Sequence, residues 1–163
     1  MRSRNNTVTH LRAFVPTDAE AIARIFYEAV HKLGPAVYSP EQLKAWAPAP
    51  LEPAQIVARA TDGRVLLVAA NPDNQALAYG ELEPDGHIDH LYCHPSAARQ
   101  GLATAIYEAL ERIARERGIA TLYVEASELA RPLFARHGFR LVQRQDFQRH
   151  GVVLHNYRMQ KTL

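Results

Sequence analysis

Arg99-Gln100-Gly101-Leu102-Ala103-Thr104 is a polar-then-small run set between an apolar segment, Leu91-Tyr92-Cys93, and an amphipathic one. A strand, a short loop and the first turn of a helix present unpaired N–H groups and the positive end of the helix dipole. Together these hold an anion. Gly101 has no Cβ, and Ala103 and Thr104 are small, so a bulky phosphate can approach the main chain. Upstream, His87 and Asp89 lie two apart on the strand that feeds this loop, so their side chains share one face. Histidine titrates near neutral pH, which suits base catalysis, although His87 reads equally as a solvated residue after the Asp85-Gly86 turn. Glu81, on the neighbouring strand, is a further candidate base, whereas His90 faces away from Asp89 and reads as structural. The single cysteine, Cys93, sits in an apolar strand and reads as a buried thiol rather than a nucleophile. With no second cysteine and no matching histidine spacing, Cys93-His94 is not a metal site.

The elements that would position these residues follow from periodicity and punctuation. A strand over Val8–Phe14 precedes a helix carrying Ile22, Ile25, Phe26, Ala29, Val30 and Leu33 at helical spacing. Thr17 and Glu20 suggest its capping box, and Gly34-Pro35 its end. Ser39-Pro40 starts a second helix reaching Trp46, and a proline-rich connection, Pro48–Pro53, leads to a brief helix around Ala54–Ala60. Strands are expected at Arg64–Ala70, Gln75–Glu83 and His87–Cys93, and a helix at Gly101–Arg117 with Leu102, Ile106, Leu110 and Ile113 on one face. A strand at Ile119–Ala126, a helix at Ser127–His137 capped by Ser127, and strands at Phe139–Phe147 and Val152–Met159 complete the order. The pattern predicts an α/β sheet with helices on both faces.

At 163 residues the chain has the size of one domain. Its 47% hydrophobic and 22% charged content is that of a soluble globular protein. A net charge of +2, with arginines dispersed along the chain, argues against nucleic acid as a partner. One cysteine excludes an internal disulfide framework and fits a reducing compartment. The polar Met1–Thr7 stretch lacks the apolar core of a signal peptide, and no apolar run approaches the ~20 residues needed to span a bilayer. The expected location is cytoplasmic, with no membrane contact, and a two-fold homodimer is the default assembly.

The strand followed by Arg99-Gln100-Gly101-x-Ala103 resembles the acetyl-CoA pyrophosphate loop of the GNAT superfamily of N-acyltransferases, written (Gln/Arg)-x-x-Gly-x-(Gly/Ala). Ala98 stands where that family usually carries Gln or Arg. Leu91-Tyr92-Cys93-His94-Pro95 is similar to the family's strand ending in aliphatic-x-Val-(His/Asp)-Pro, and Ala130–Phe139 to its Ala-x-x-(Leu/Phe)-(Tyr/Phe)-x-x-x-Gly-Phe segment. Gly151–Met159 is similar to the closing strand of one bacterial subgroup. The resemblance runs from Val8 to Met159. It implies one domain over residues 1–163, core about 8–160, with a mixed, mostly antiparallel central sheet and helices on both faces.

The resemblance further implies that acetyl-CoA is cosubstrate and that a primary amine (small molecule, peptide N-terminus or lysine) attacks its thioester directly, without a metal. The main chain of Leu91, Tyr92 and Cys93 would pair with the pantetheine arm. Arg99, Gln100, Gly101, Leu102, Ala103 and Thr104 would hold the pyrophosphate. The general base would come from Asp89, His87 or Glu81. Phe134 occupies the place of the usual acid tyrosine, so solvent, Tyr92, Tyr123 or Tyr157 would serve instead, or no acid at all. Tyr38, Trp46, Phe26 and Tyr157 would wall the acceptor pocket. Ala98 and Phe134 also motivate a second reading, an acyl-CoA-binding module without turnover.

Overall fold

The computed structural model describes residues 9–163. The polar first residues and Val8 lie outside them. The chain order is β1 (His10–Ala13), α1 (Ala19–Leu33), α2 (Pro40–Trp46), α3 (Pro53–Arg59), β2 (Val65–Ala70), β3 (Ala76–Leu82) and β4 (Ile88–Cys93). It continues as α4 (Leu102–Glu116), β5 (Thr121–Ala126), α5 (Arg131–Arg136), β6 (Arg140–Arg149) and β7 (Val152–Thr162). This is the expected order, with the last two strands two or three residues longer at their C-terminal ends.

Local chemistry explains where the helices begin. Ser39 Oγ accepts the Gln42 N–H at 3.2 Å while Gln42 Oε1 accepts the Ser39 N–H at 3.0 Å, a reciprocal cap that fixes the start of α2. At α1 the expected Thr17–Glu20 box does not form. Asp18 takes that role, accepting the Val15 N–H at 2.9 Å in a 3₁₀ turn. Arg12 of β1 clamps the same carboxylate through both terminal nitrogens, at 2.7 and 2.9 Å. A charge-assisted fork outcompetes a threonine hydroxyl. Ser127 Oγ accepts the Ala130 N–H at 3.2 Å, but α5 starts only at Arg131, because Pro132 fits no later than the first turn.

Two antiparallel sheets result, ordered β1-β2-β3-β4 and β5-β7-β6. Along β2 the pleat sends Leu66, Val68 and Ala70 towards α1, α2 and α3, where Ile22, Phe26, Leu43 and Ile56 bury them. Ala69, with Val65 and Leu67 beside it, faces the opposite core, built on Ile106 and Leu110 of α4 and Phe134 of α5. Helices thus cover both faces. Gly80 of β3 lets α4 approach, since a Cβ there would meet Ile106 Cγ2 at 2.5 Å. The two sheets join where β4 meets β5, through a single parallel bridge, His87↔Tyr123, with Tyr123 N–H donating to Gly86 C=O at 3.1 Å. Gly86 is required there twice over: its φ is +97°, and a Cβ would fall 2.1 Å from Thr121 O.

Candidate active site

Beyond the His87–Tyr123 bridge, β4 and β5 run side by side without pairing, so one edge of β4 is open. Backbone groups of a strand alternate sides. His94 donates its N–H to Leu77 C=O on β3 at 2.7 Å, so the N–H and C=O groups of Leu91 and Cys93 point into the fork. Those of Tyr92 face β3, so it is Leu91 and Cys93 that offer the strand-like edge. On the other side, Tyr123 and Glu125 direct their main-chain groups towards β4.

The open edge leads to the N-terminus of α4. The first intrahelical bond is Ala105 N–H to Gly101 C=O at 3.0 Å, so the N–H groups of Leu102, Ala103 and Thr104 have no acceptor within the helix. Gly101 has φ +79° and nothing within 4 Å of an added Cβ. Its backbone conformation favours glycine, and the space above it is open to a ligand. Arg99 also adopts a left-handed conformation, φ +62°, and lies exposed with Gln100. The Leu102 side chain is buried in the core, leaving only its main chain for a ligand. A groove of about 370 Å³ runs from here, floored by Leu91, Cys93, Ala98, Arg99 and Ala103 and walled by Leu133 and Phe134. Cys93 Sγ lies 3.3 Å from Ala97 C=O, and burial pushes its thiol pKa up to about 11. It stays protonated at neutral pH, as befits a packed thiol.

A second chamber of about 610 Å³ opens on the far side of the fork. Phe26, Tyr38 and Trp46 wall it as expected, and the Pro48–Glu52 connection forms its rim. Tyr157 does not reach it. That ring carries Arg131 at 4.2 Å and donates its hydroxyl to Glu128 at 2.5 Å, and the opposite wall is Phe147, Leu154 and His155 instead. Trp46, Tyr92 and Ser127 line the chamber, the groove and the narrow slot between them, so the three form one continuous passage.

The expected bases occupy different surroundings. Glu81 is 2% exposed and holds Arg59 at 2.5 Å and Arg64 at 2.6 Å. Burial raises its pKa despite those arginines, and it lines none of these cavities. Asp89 shares the arginines through Oδ2, at 2.7 and 3.1 Å, but it faces the chamber and its Oδ1 has no hydrogen-bond partner among the described residues. Burial works to raise its pKa, and neighbouring positive charge, Arg59 included, holds it below the usual carboxylate range. His87 gives Nδ1 to Glu83 at 2.8 Å and Nε2 to Glu125 at 2.5 Å, while its ring stacks on Tyr123 at 4.7 Å. Burial disfavours its charge, but the bonds from Glu125 and Glu83 prevail and push its pKa up to about 9. With both nitrogens engaged it is a cation at neutral pH, so the two-residue spacing from Asp89 forms no direct relay. Glu83, His87 and Asp89 offer ligand atoms within 4.8 Å of one another, and both His87 nitrogens are bonded to carboxylates. His90 is held neutral, its pKa lowered to about 4 by burial and Arg59, and it bonds Tyr79 Oη at 2.9 Å.

Tyr92 and Tyr123 are also placed. Burial raises the Tyr92 phenol, and Tyr123 donates to Asp85, which keeps its own pKa up at about 12. Two residues facing the passage had no signal of their own in the chain: Ser127, read as a helix cap, and Glu125. The spacing of Glu125 from Tyr123 matches that of Asp89 from His87, but only the parallel bridge makes that equivalence meaningful.

Residues 35–161 match the family model of the acetyltransferase (GNAT) domain. The chain is 29% identical over 150 residues to the uncharacterized N-acetyltransferase YafP of Escherichia coli strain K12, covering 91% of this chain and 93% of that one. A crystal structure of a GCN5-related N-acetyltransferase from Rhodopseudomonas palustris matches with a TM-score of 0.86 at 35% identity over 96% of both chains. The fold is shared, at 20% identity and a TM-score of 0.73, by yncA of Salmonella typhimurium, whose structure holds its cofactor acetyl-CoA; 95% of this chain and 94% of that one are covered. With a family model spanning α2 to β7 and a relative this similar over nearly its full length, the chain belongs to the GNAT family of acetyltransferases.

Proposed function

We propose that the protein transfers an acetyl group from acetyl-CoA to a primary amine by direct attack. The observation that carries this reading is the unpaired edge of β4 running into the uncapped N-terminus of α4. A pantetheine arm adds to the Leu91 and Cys93 edge as a strand would, exchanging amide hydrogen bonds with it. Its pyrophosphate lies over the Arg99–Thr104 turn, taking the free N–H groups of Leu102, Ala103 and Thr104, with the Arg99 guanidinium and the Thr104 hydroxyl at hand. The thioester then reaches the junction lined by Trp46, Tyr92 and Ser127, where a main-chain N–H of the β4 edge stabilises the developing oxyanion. The amine comes from the chamber on the other side, so donor and acceptor meet in line through the slot. The relative from Salmonella typhimurium with bound acetyl-CoA supports the cosubstrate.

Asp89 is the group placed to take the amine's proton, through a water on Oδ1. His87 and Glu81 act on it from behind: Glu81 shares its arginines, and His87 fixes the base of the fork. Cys93 remains a thiol, so no acetyl-enzyme forms on it. Phe134 supplies no proton, and a CoA thiolate leaves without one.

Titration calorimetry with acetyl-CoA, followed by thiol release and mass detection of the acetylated amine over an amine panel from pH 6 to 9, tests this reading. Binding and amine-dependent release of CoA are expected, with Asp89→Asn slowing release by about 10²-fold or more while leaving acetyl-CoA affinity intact. Binding without release on any amine would replace it with the acyl-CoA-binding module.

A further inference from the structure

Because His87 and Tyr123 are parallel partners, the residues two further along each strand, Asp89 and Glu125, flank the mouth of the fork from opposite sides. Stacking of His87 on Tyr123 puts that pair on one face, and the pleat puts Asp89 and Glu125 on the same face. Both line the chamber and the slot. Each is held by fixed cations behind it, Asp89 by Arg59 and Arg64, Glu125 by His87 at 2.5 Å and Arg158 at 3.1 Å. Each still faces the passage with acceptor capacity unspent. A third acceptor belongs to the same chamber: Asn156 Oδ1 is buried and has no hydrogen-bond partner among the described residues. The unspent acceptor positions of Asp89 and Glu125 at the inner end of the chamber suit a donor-rich, positively charged head, such as a primary ammonium with three N–H groups.

The rest of the chamber describes the body that head belongs to. Tyr38 and Trp46 meet edge-to-face at 5.4 Å, Phe26 and Tyr92 at 5.1 Å, and His90, held neutral, stacks on Phe26 at 5.5 Å. These rings present flat apolar faces suited to another ring. Arg59 is committed to Glu81 and Asp89, so the remaining arginine of the lining is Arg149, exposed at the far end of β6 beside Phe147. At the ammonium end Arg59, Arg64 and Arg158 are already spent on Glu81, Asp89 and Glu125, so among the described residues none is left over to receive an α-carboxylate.

We infer that the acceptor is an arylalkylamine, its ammonium bound between Asp89 and Glu125 and its ring against Phe26, Tyr38 and Trp46. This rests on the acetyl-transfer reading for its orientation in the passage, but its binding test needs no turnover. Calorimetry on the CoA-saturated protein would compare 2-phenylethylamine with 2-phenylethanol, butylamine, phenylalanine and a lysine-containing peptide. The arylalkylamine should bind at least ten-fold more tightly than any of the others. Asp89→Asn and Glu125→Gln should each weaken it by roughly ten-fold, the loss of one charge-assisted hydrogen bond. Affinity for 2-phenylethanol and for CoA should stay unchanged. Trp46→Leu, which spares the ion-pair network, should erase the advantage over butylamine. Equal binding of butylamine, tighter binding of phenylalanine or the peptide, or carboxylate variants without effect would each overturn the inference. If the arylalkylamine binds as described and no amine is acetylated, the transfer reading fails and only the arylalkylamine binding site stands. If other amines are acetylated and the arylalkylamine does not bind, the reverse holds.

Discussion

His87 couples the closure of the fork to pH. Its ring is 17% exposed, flanked by Glu83 and Glu125 and stacked on Tyr123, and its pKa is pushed from 6.5 to about 9. Because the folded value lies above the unfolded one, the native state binds this proton more tightly than the unfolded chain. The stabilisation is therefore complete below pH 6.5, declines between 6.5 and about 9, and is absent above. At about 1.4 kcal/mol per pH unit, that interval is worth roughly 3 kcal/mol. Denaturant unfolding followed by circular dichroism at pH 6, 7, 8, 9 and 10, on wild type and His87→Gln, isolates the contribution, because other groups titrate in both proteins. Cys93, whose pKa is about 11, destabilises both alike at the alkaline end. The stability gap between the two proteins should be widest at pH 6 and narrow by about 3 kcal/mol by pH 10. A gap that stays constant would show that the carboxylate sandwich does not hold the imidazolium.

Gly101→Glu should keep the fold at a cost of about 1–2 kcal/mol from the positive φ, since its side chain meets open space, yet abolish acetyl-CoA binding measured by calorimetry, by setting bulk and negative charge over the N-terminus of α4. Arg64→Ala should cost about 1.5–3 kcal/mol in thermal or denaturant unfolding, because it leaves the buried Glu81 carboxylate with one cation in place of two. Gly86→Ala should destabilise by about 1–3 kcal/mol and weaken acetyl-CoA binding together, because Thr121 O must move away and the His87–Tyr123 bridge with it. Cys93 should react slowly with iodoacetamide at pH 8, where a thiol with pKa about 11 is ionised to only about one part in a thousand.

Much of this architecture can be read from local pattern. The unbroken apolar run Val65–Ala70 reads as a strand covered on both faces, and the Ser39-Pro40 start and the Gly101 turn mark where α2 and α4 begin, because those signals lie within a few residues of what they control. What escapes the sequence is set by distant partners. The Thr17–Glu20 box loses to Asp18 because Arg12, on another element, reaches it. Glu125 gains meaning only from His87, 38 residues away in the chain. The need for glycine at position 86 comes from the carbonyl of Thr121. Tyr157 is turned from the chamber by Glu128 and Arg131. The fork itself is an absence of pairing along part of two strands, and no residue type encodes that by itself.

A crystal structure of the complex with CoA tests the fork as the acyl-CoA site most directly. The pantetheine arm is expected along β4, hydrogen-bonded to the main chain of Leu91 or Cys93, with the pyrophosphate on the N–H groups of Leu102–Thr104 and the thiol at Trp46 and Ser127. A cofactor bound elsewhere, or one whose sulfur ends away from the slot between Asp89 and Glu125, would contradict it.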